Sequence, residues 1–316
     1  MPVAARVSPK EFFTQEEWAP LAMRSAWAGP LMIAHCWAVI AGCMIVGVIW
    51  PVTIPLAIML IGARQLGLAI LMHDAAHGAI HPDQKTNDFL GEWLCGAPVG
   101  ARLSSYRDYH LGHHKFAQQA EDPDLGLSAP FPITRSSLWR KVVRDLTGQT
   151  FFKQRSAVLR AQLKARPKGA PVLPIFLAEV RRQRRFYGWQ LAILAACSLA
   201  GAWWAYFVLW LVPMASWYPL ITRIRNIAEH ALVAKNEPDP LRHARTTHAG
   251  LIERALLAPY YVNYHGEHHL FMHVPCYRLP KINRMLRARG VTGRMETAPG
   301  YLAVLRRAAP VDMAGA

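Results

Sequence analysis

The sequence is poor in acidic side chains and has no paired cysteines. Asp and Glu total 20 against 36 Lys and Arg, giving a formal net charge of +16. The five cysteines, Cys36, Cys43, Cys95, Cys197 and Cys276, are scattered and odd in number, with no CxxC pair. That excludes a disulfide framework and a cysteine zinc site. The chain has no internal repeat, no low-complexity tract and no nucleic-acid-binding motif, so its basic charge needs another explanation. The first twenty residues include Glu11, Glu16 and Glu17 and lack an apolar core and cleavage site, so no signal peptide is expected.

Apolar residues are concentrated in two blocks, 30–72 and 187–222. Each is about forty residues long, twice the roughly 20 that a helix needs to cross the hydrocarbon core. The reading is two helical hairpins with spans at about 30–50, 51–72, 187–201 and 203–222. Basic residues recur from Arg135 to Arg185, opposed only by Asp145 and Glu179, while the turns at Trp50-Pro51 and Gly201-Ala202 carry no charge. This asymmetry places the insert 79–186, the segment 226–316 and the N-terminus in the cytoplasm. The expected fold class is an all-α integral membrane protein, one domain over 1–316, with a cytoplasmic helical cap on four spans. Phe12, Phe13, Trp18, Leu21 and Trp27 suggest a short helix at the membrane surface. The stretch Asp88–Gly100 is apolar but too short to cross, and Leu138, Trp139, Val142, Val143 and Leu146 mark an amphipathic surface helix.

Nine of the 14 histidines fall into groups. His73 and His77 are spaced i, i+4. His110, His113 and His114 form H-L-G-H-H, and His265, His268 and His269 form H-G-E-H-H. His230 stands four residues after Asn226, at the end of the last span. Residues three and four apart share a helix face, so each group can aim its imidazoles at one point. The even number of spans in each block brings every group to the same side. Imidazole ligates iron, zinc, copper or nickel. Nine histidines exceed the needs of one ion and suit two, with positions left for oxygen. Soluble di-iron bundles use glutamates and an E-x-x-H motif, absent here. His35, His81, His243, His248 and His273 read as packing or surface residues.

The order H-x-x-x-H, H-x-x-H-H, H-x-x-H-H resembles the membrane-bound fatty acid desaturase superfamily, which includes related hydroxylases and carotenoid ketolases. So do the contexts L-M-H-D-A-A-H-G and N-Y-H-G-E-H-H-L-F-M-H-V-P-C-Y-R-L-P, over roughly Gly62 to Pro280. The resemblance implies four spans and two iron ions held by His73, His77, His110, His113, His114, His230, His265, His268 and His269. Asn226 would be a weak or water-mediated ligand. It implies dioxygen as co-substrate, a lipid acyl chain as substrate, and electrons from a ferredoxin, rubredoxin or flavoprotein reductase. The box spacing and the missing cytochrome domain are most similar to bacterial acyl-lipid desaturases, hence a bacterial inner membrane. Asp74, Asp108, Glu229 and Glu267 neighbour the boxes and are candidates to orient imidazoles. Arg64, inside the second span, either lines an acyl tunnel or pairs within the bundle. Hydroxylation and carotenoid ketolation share the box spacing. An intramembrane zinc hydrolase is a remoter alternative, and a haem protein leaves seven of the nine histidines unused.

Overall fold

The computed structural model describes residues 4–310. It opens with α1 (Gln15–Ala22), where Thr14 and Glu17 cap each other's amides. The aromatics before and within α1 pack on protein. Phe12, Phe13 and Trp18 pack on Phe271 at centroid distances of 6.3, 5.7 and 5.1 Å. With Leu21 they join a core cluster that includes Phe271, Val274 and Leu279.

A hairpin of α2 (Ala28–Ile49) and α3 (Ile54–Ala76) follows. Among the described residues, three helical stretches are long and apolar enough to cross a membrane: Ala28–Ile49, Pro51–Ala76 and Tyr206–His230. α2 carries no charge and leaves Leu31, Ile45, Val46 and Ile49 exposed, a face suited to lipid. α3 runs past the expected residue 72, so His73 lies inside it, and it ends where His77 leads into Gly78 at φ +70°.

α4 (Gln84–Phe89) and the π-helical Leu90–Gly96 lie against the end of α3. Their close approach needs glycine: a Cβ on Gly91 would meet the Ala75 Cβ at 2.3 Å. The short apolar stretch therefore seats on protein, with Cys95, Ala97 and Val99 buried and Phe89 and Trp93 exposed. α5 (Leu103–Lys115) carries the second histidine group. The basic insert continues as α6 (Leu125–Ser128), α7 (Arg135–Leu146), α8 (Gln149–Ala165) and α9 (Leu173–Arg182). α7 is amphipathic as expected: Trp139, Val143 and Leu146 are exposed, and the buried Asp145 accepts from Arg223 Nη2 at 2.9 Å.

The second hairpin is less regular than expected. α10 (Arg184–Leu199) has 16 residues, short of the roughly 20 that cross upright. The other arm is the π-helical Tyr206–Leu211, then α11 (Val212–Ala215) and α12 (Trp217–His230). Pro213 has no amide proton and its ring crowds the preceding turn; the wider π turn accommodates it. The expected arms 187–201 and 203–222 thus shift to 184–199 and 206–230, and the second continues to His230.

The C-terminal part holds α13 (Leu251–Leu256), α14 (His265–Leu270), α15 (Leu279–Ala288) and α16 (Tyr301–Ala308). It also holds a small parallel sheet, β1 (Arg245–Thr247) beside β2 (Glu296–Ala298), in register Arg245 to Glu296. The fold is therefore mostly rather than wholly helical. Strands of three residues are too short to leave an alternating pattern in sequence.

Candidate metal centre

The histidines converge on two points. One ring nitrogen from each of His73, His77, His110, His114 and His268 lies within 4.8 Å of the others, and the same holds for His113, His230, His265 and His269. The helical spacing produces this division. In α5 the i, i+4 pair His110 and His114 joins the first set and His113 the second. In α14 the pair His265 and His269 joins the second set and His268 the first. Each H-x-x-H-H box thus serves both points, its middle histidine turned away from its pair. α3 contributes only to the first set and α12 only to the second.

Eight of the nine are buried; His269 alone is partly exposed. His114 Nε2 lies 3.0 Å from both His110 Nε2 and His268 Nε2. His265 Nε2 lies 2.9 Å from His230 Nε2 and 3.2 Å from His269 Nε2. A neutral imidazole has one N–H, so a nitrogen between two others cannot satisfy both by hydrogen bonding. Two imidazole nitrogens held at right angles on an ion about 2.1 Å away would sit about 3.0 Å apart, the spacing seen here. Both ring nitrogens of His73 and of His77 are buried without a hydrogen-bond partner. Such groups are costly unless an unseen ligand satisfies them. The donor set therefore fits two metal ions.

Burial pushes the pKa of His110, His114, His265, His268 and His269 well below the usual imidazole value, and crowding by the other histidines adds to this. They are neutral at pH 7, the form that binds metal.

Asp122, which the sequence reading did not single out, makes the shortest contact to a ring. Its Oδ1 lies 2.7 Å from His113 Nδ1, and it also accepts the amides of Gln118 and Asp124 at 2.9 and 2.8 Å. This fixes the proton on Nδ1 and leaves Nε2 free. The available signal was the acidic run Glu121-Asp122-Pro123-Asp124 shortly after the second box. Gln118 Nε2 lies 3.3 Å from His230 Nδ1. Of the four carboxylates singled out by sequence, two approach an imidazole. Asp74 lies 3.4 Å from His73 Nδ1 and accepts the Cys276 amide at 2.9 Å. Glu229 lies 3.6 Å from His265 Nε2 and 3.0 Å from Arg225 Nε. Glu267 instead accepts from Thr246 and Asn283, at 2.5 and 2.6 Å, tying α14 to β1 and α15; burial raises its pKa. Asp108 is exposed on α5.

Asn226 accepts from Arg225 Nη2 at 3.1 Å and lines a cavity of about 20 Å³ with Tyr106, His110, His113, His230 and His265. A larger cavity of about 400 Å³ shares Leu127 and Asn226 with it and reaches Met214, Tyr218 and Pro219, with Arg155 and Arg223 on its wall. On the other side, a cavity of about 320 Å³ reaches His114 and His269 beneath Arg6, Arg24 and Trp18. Arg64 pairs within the bundle, donating Nη2 to the Ala255 carbonyl at 2.8 Å. The five remaining histidines stand outside both sets: His35 meets the Tyr260 hydroxyl at 3.0 Å, His81 accepts the Asp83 amide, and His243 donates to the Glu237 carbonyl. His248 and His273 are exposed.

The family model for fatty acid desaturases matches residues 48–296, which include all nine clustered histidines. The chain belongs to the fatty acid desaturase family. Among curated proteins, this desaturase-family chain is 27% identical over 292 residues to the dihydrorhizobitoxine desaturase of Bradyrhizobium elkanii, covering 87% of this chain and 77% of that one. It is 26% identical over 222 residues to the beta-carotene ketolase of Paracoccus sp. (strain PC1), covering 70% and 75%. A second Paracoccus beta-carotene ketolase (strain N81106 / MBIC 01143) is 27% identical over 221 residues. Family membership thus assigns an oxidoreductase-type enzyme, and a desaturase and two ketolases are among its relatives.

Proposed function

We propose that the chain is a membrane-bound, di-iron, oxygen-dependent desaturase that introduces a C=C bond into a fatty acyl chain of a membrane lipid. The observation that carries this reading is the division of nine imidazoles, eight of them buried, into convergent sets of five and four. A zinc ion is satisfied by four ligands and a single ion cannot use nine, whereas two iron ions use both sets and keep positions open. His73, His77, His110, His114 and His268 would hold one, and His113, His230, His265 and His269 the other, with Asn226 beside the second as a weak or water-mediated ligand. When bound, the irons supply dioxygen activation, drawing electrons from an external ferredoxin, rubredoxin or flavoprotein reductase.

The protein's part is placement. Three helices and the end of a fourth fix the imidazoles, and Asp122 holds the proton on His113 Nδ1. The cavity from Met214 and Tyr218 to Asn226 is the proposed acyl path, since its lining includes residues of the last apolar stretch and it adjoins the second histidine set. Holding one methylene pair at a fixed depth selects which carbons lose hydrogen. The cavity over His114 and His269 has no spanning residue in its lining and is the proposed aqueous approach. We place α10 and the Tyr206–His230 arm as the third and fourth spans, with the cluster and both termini in the cytoplasm of a bacterial inner membrane.

The ketolase relatives support a second reading in which oxygen is inserted into the substrate. Mass spectrometry of total lipids from a bacterial host expressing the chain, beside a His268→Ala control, separates the two. A new unsaturated acyl chain absent from the control supports desaturation, and an oxygenated product supports the second reading. Unchanged lipids in a host supplied with a ferredoxin and its reductase count against both.

A further inference from the structure

Leu251 and Ile252 open α13 with 85% and 76% of their surface exposed, and neither the fold nor the site accounts for them. Depth within the membrane does. α2 is bracketed by exposed Trp27 and Trp50, the positions of an interfacial aromatic belt. Its 22 residues are about 33 Å long, close to the roughly 30 Å hydrocarbon core. His35 lies eight residues inside Trp27, about 12 Å along the helix from that belt. Its ring meets the Tyr260 hydroxyl at 3.0 Å.

Two further contacts give the same depth. Arg64 on α3 is level with Cys36, whose thiol donates to the Arg64 carbonyl at 3.2 Å. The Arg64 guanidinium reaches the Ala255 carbonyl at 2.8 Å and stacks over the Tyr260 ring at 5.6 Å. Trp217, at the start of α12, donates to the Leu256 carbonyl at 3.2 Å. The end of α13 and the Pro259–Tyr261 turn are therefore held against the spans well inside the belt.

The local chemistry suits that depth. The last carbonyls of a helix lack intrahelical donors, and Arg64 and Trp217 supply them. Glu253 folds back to accept the Gly250 and Tyr301 amides at 2.9 and 3.3 Å. Tyr260 and Tyr261 adopt φ +51° and +62°, a turn made possible by Gly67, where a Cβ would meet the Tyr260 ring at 2.6 Å.

We propose that residues 251–262 form a re-entrant element that dips into the bilayer from the face carrying the histidine cluster, with Leu251 and Ile252 against lipid acyl chains. The inference requires α2 and α3 to cross the membrane and does not depend on the metal or the reaction. Its consequence is functional: His265 follows the element by three residues, so lipid contact sets the height of α14 and its three histidines above the bilayer.

The test is an environment-sensitive fluorophore on Ile252→Cys, with Cys43 and Cys197 replaced by alanine, in phosphatidylcholine vesicles. Arg284→Cys, on the exposed face of α15, is the aqueous control. Nitroxide-labelled acyl chains should remove most of the emission at 252 and little at 284, and aqueous iodide should do the reverse. Iodide quenching at 252 equal to that at 284 overturns the proposal. Iron content of the same samples separates this from the reading of the site: a water-exposed label on an iron-loaded chain sinks only the re-entrant element, whereas a lipid-quenched label on a chain that takes up no iron sinks only the di-iron reading.

Discussion

Asp122→Asn should weaken one metal position and spare the other. The carboxylate is buried, and both of its oxygens are in use: Oδ1 faces His113 Nδ1 and the Asp124 amide, and Oδ2 accepts the Gln118 amide. An asparagine has one oxygen. Keeping it toward His113 turns its NH₂ against the Gln118 N–H, which leaves buried donors facing each other at about 1–3 kcal/mol. Flipping it removes the acceptor that fixes the His113 tautomer. Loss of such an orienting partner typically costs 10–100-fold in metal affinity, about 1.4–2.8 kcal/mol. His113 belongs only to the four-histidine set, so the loss should fall there. Chelator competition on the purified protein should show one iron released about 10–100-fold more readily and the other held as in wild type. Asp108→Asn, at an exposed position, is the control. Equal retention of both irons in Asp122→Asn, or equal weakening in Asp108→Asn, refutes the reasoning.

Other perturbations follow from the same structure. Gly91→Ala inserts a methyl group against Ala75 and should destabilise by about 1–3 kcal/mol, read as a lower unfolding temperature in detergent; an unchanged temperature contradicts the packing. Arg223→Ala leaves the buried Asp145 without its cationic partner, with only the Thr150 hydroxyl still donating to it, and should cost about 3–5 kcal/mol, with part of the loss recovered when Asp145→Asn is added. Metal-free protein should lose stability as pH falls below about 6.5, the ordinary imidazole pKa. Burial lowers the folded-state pKa of His110, His114, His265, His268 and His269, so in that range the unfolded chain binds more protons. An unfolding temperature that stays flat from pH 8 to pH 5 would contradict the burial.

The chemistry of the site was more legible than its architecture. Histidine spacing on a helix is a local property, so the three boxes and His230 could be read from the chain, and the fold brings all nine together. Which histidine serves which point was not legible, because that depends on how α5 and α14 face each other. Asp122 was missed for the same reason: it reaches His113 only because the chain reverses after Lys115, with Gln118 at φ +61°. Hydropathy found three of the expected spans; α10 is shorter than a full crossing, and the arm that follows it opens with a π turn before Pro213. The β1–β2 pair joins segments about fifty residues apart through strands of three, which no periodicity announces. The aromatics of the N-terminal segment have the composition of a surface helix, and their tertiary partner Phe271 could not be read from that composition.

Metal analysis of the purified, membrane-extracted chain tests the central claim most directly. About two irons per chain are expected, the number that two convergent histidine sets can hold, with a lower iron content in His268→Ala. Zinc at one ion per chain, or a chain that takes up no metal while remaining folded, would contradict it.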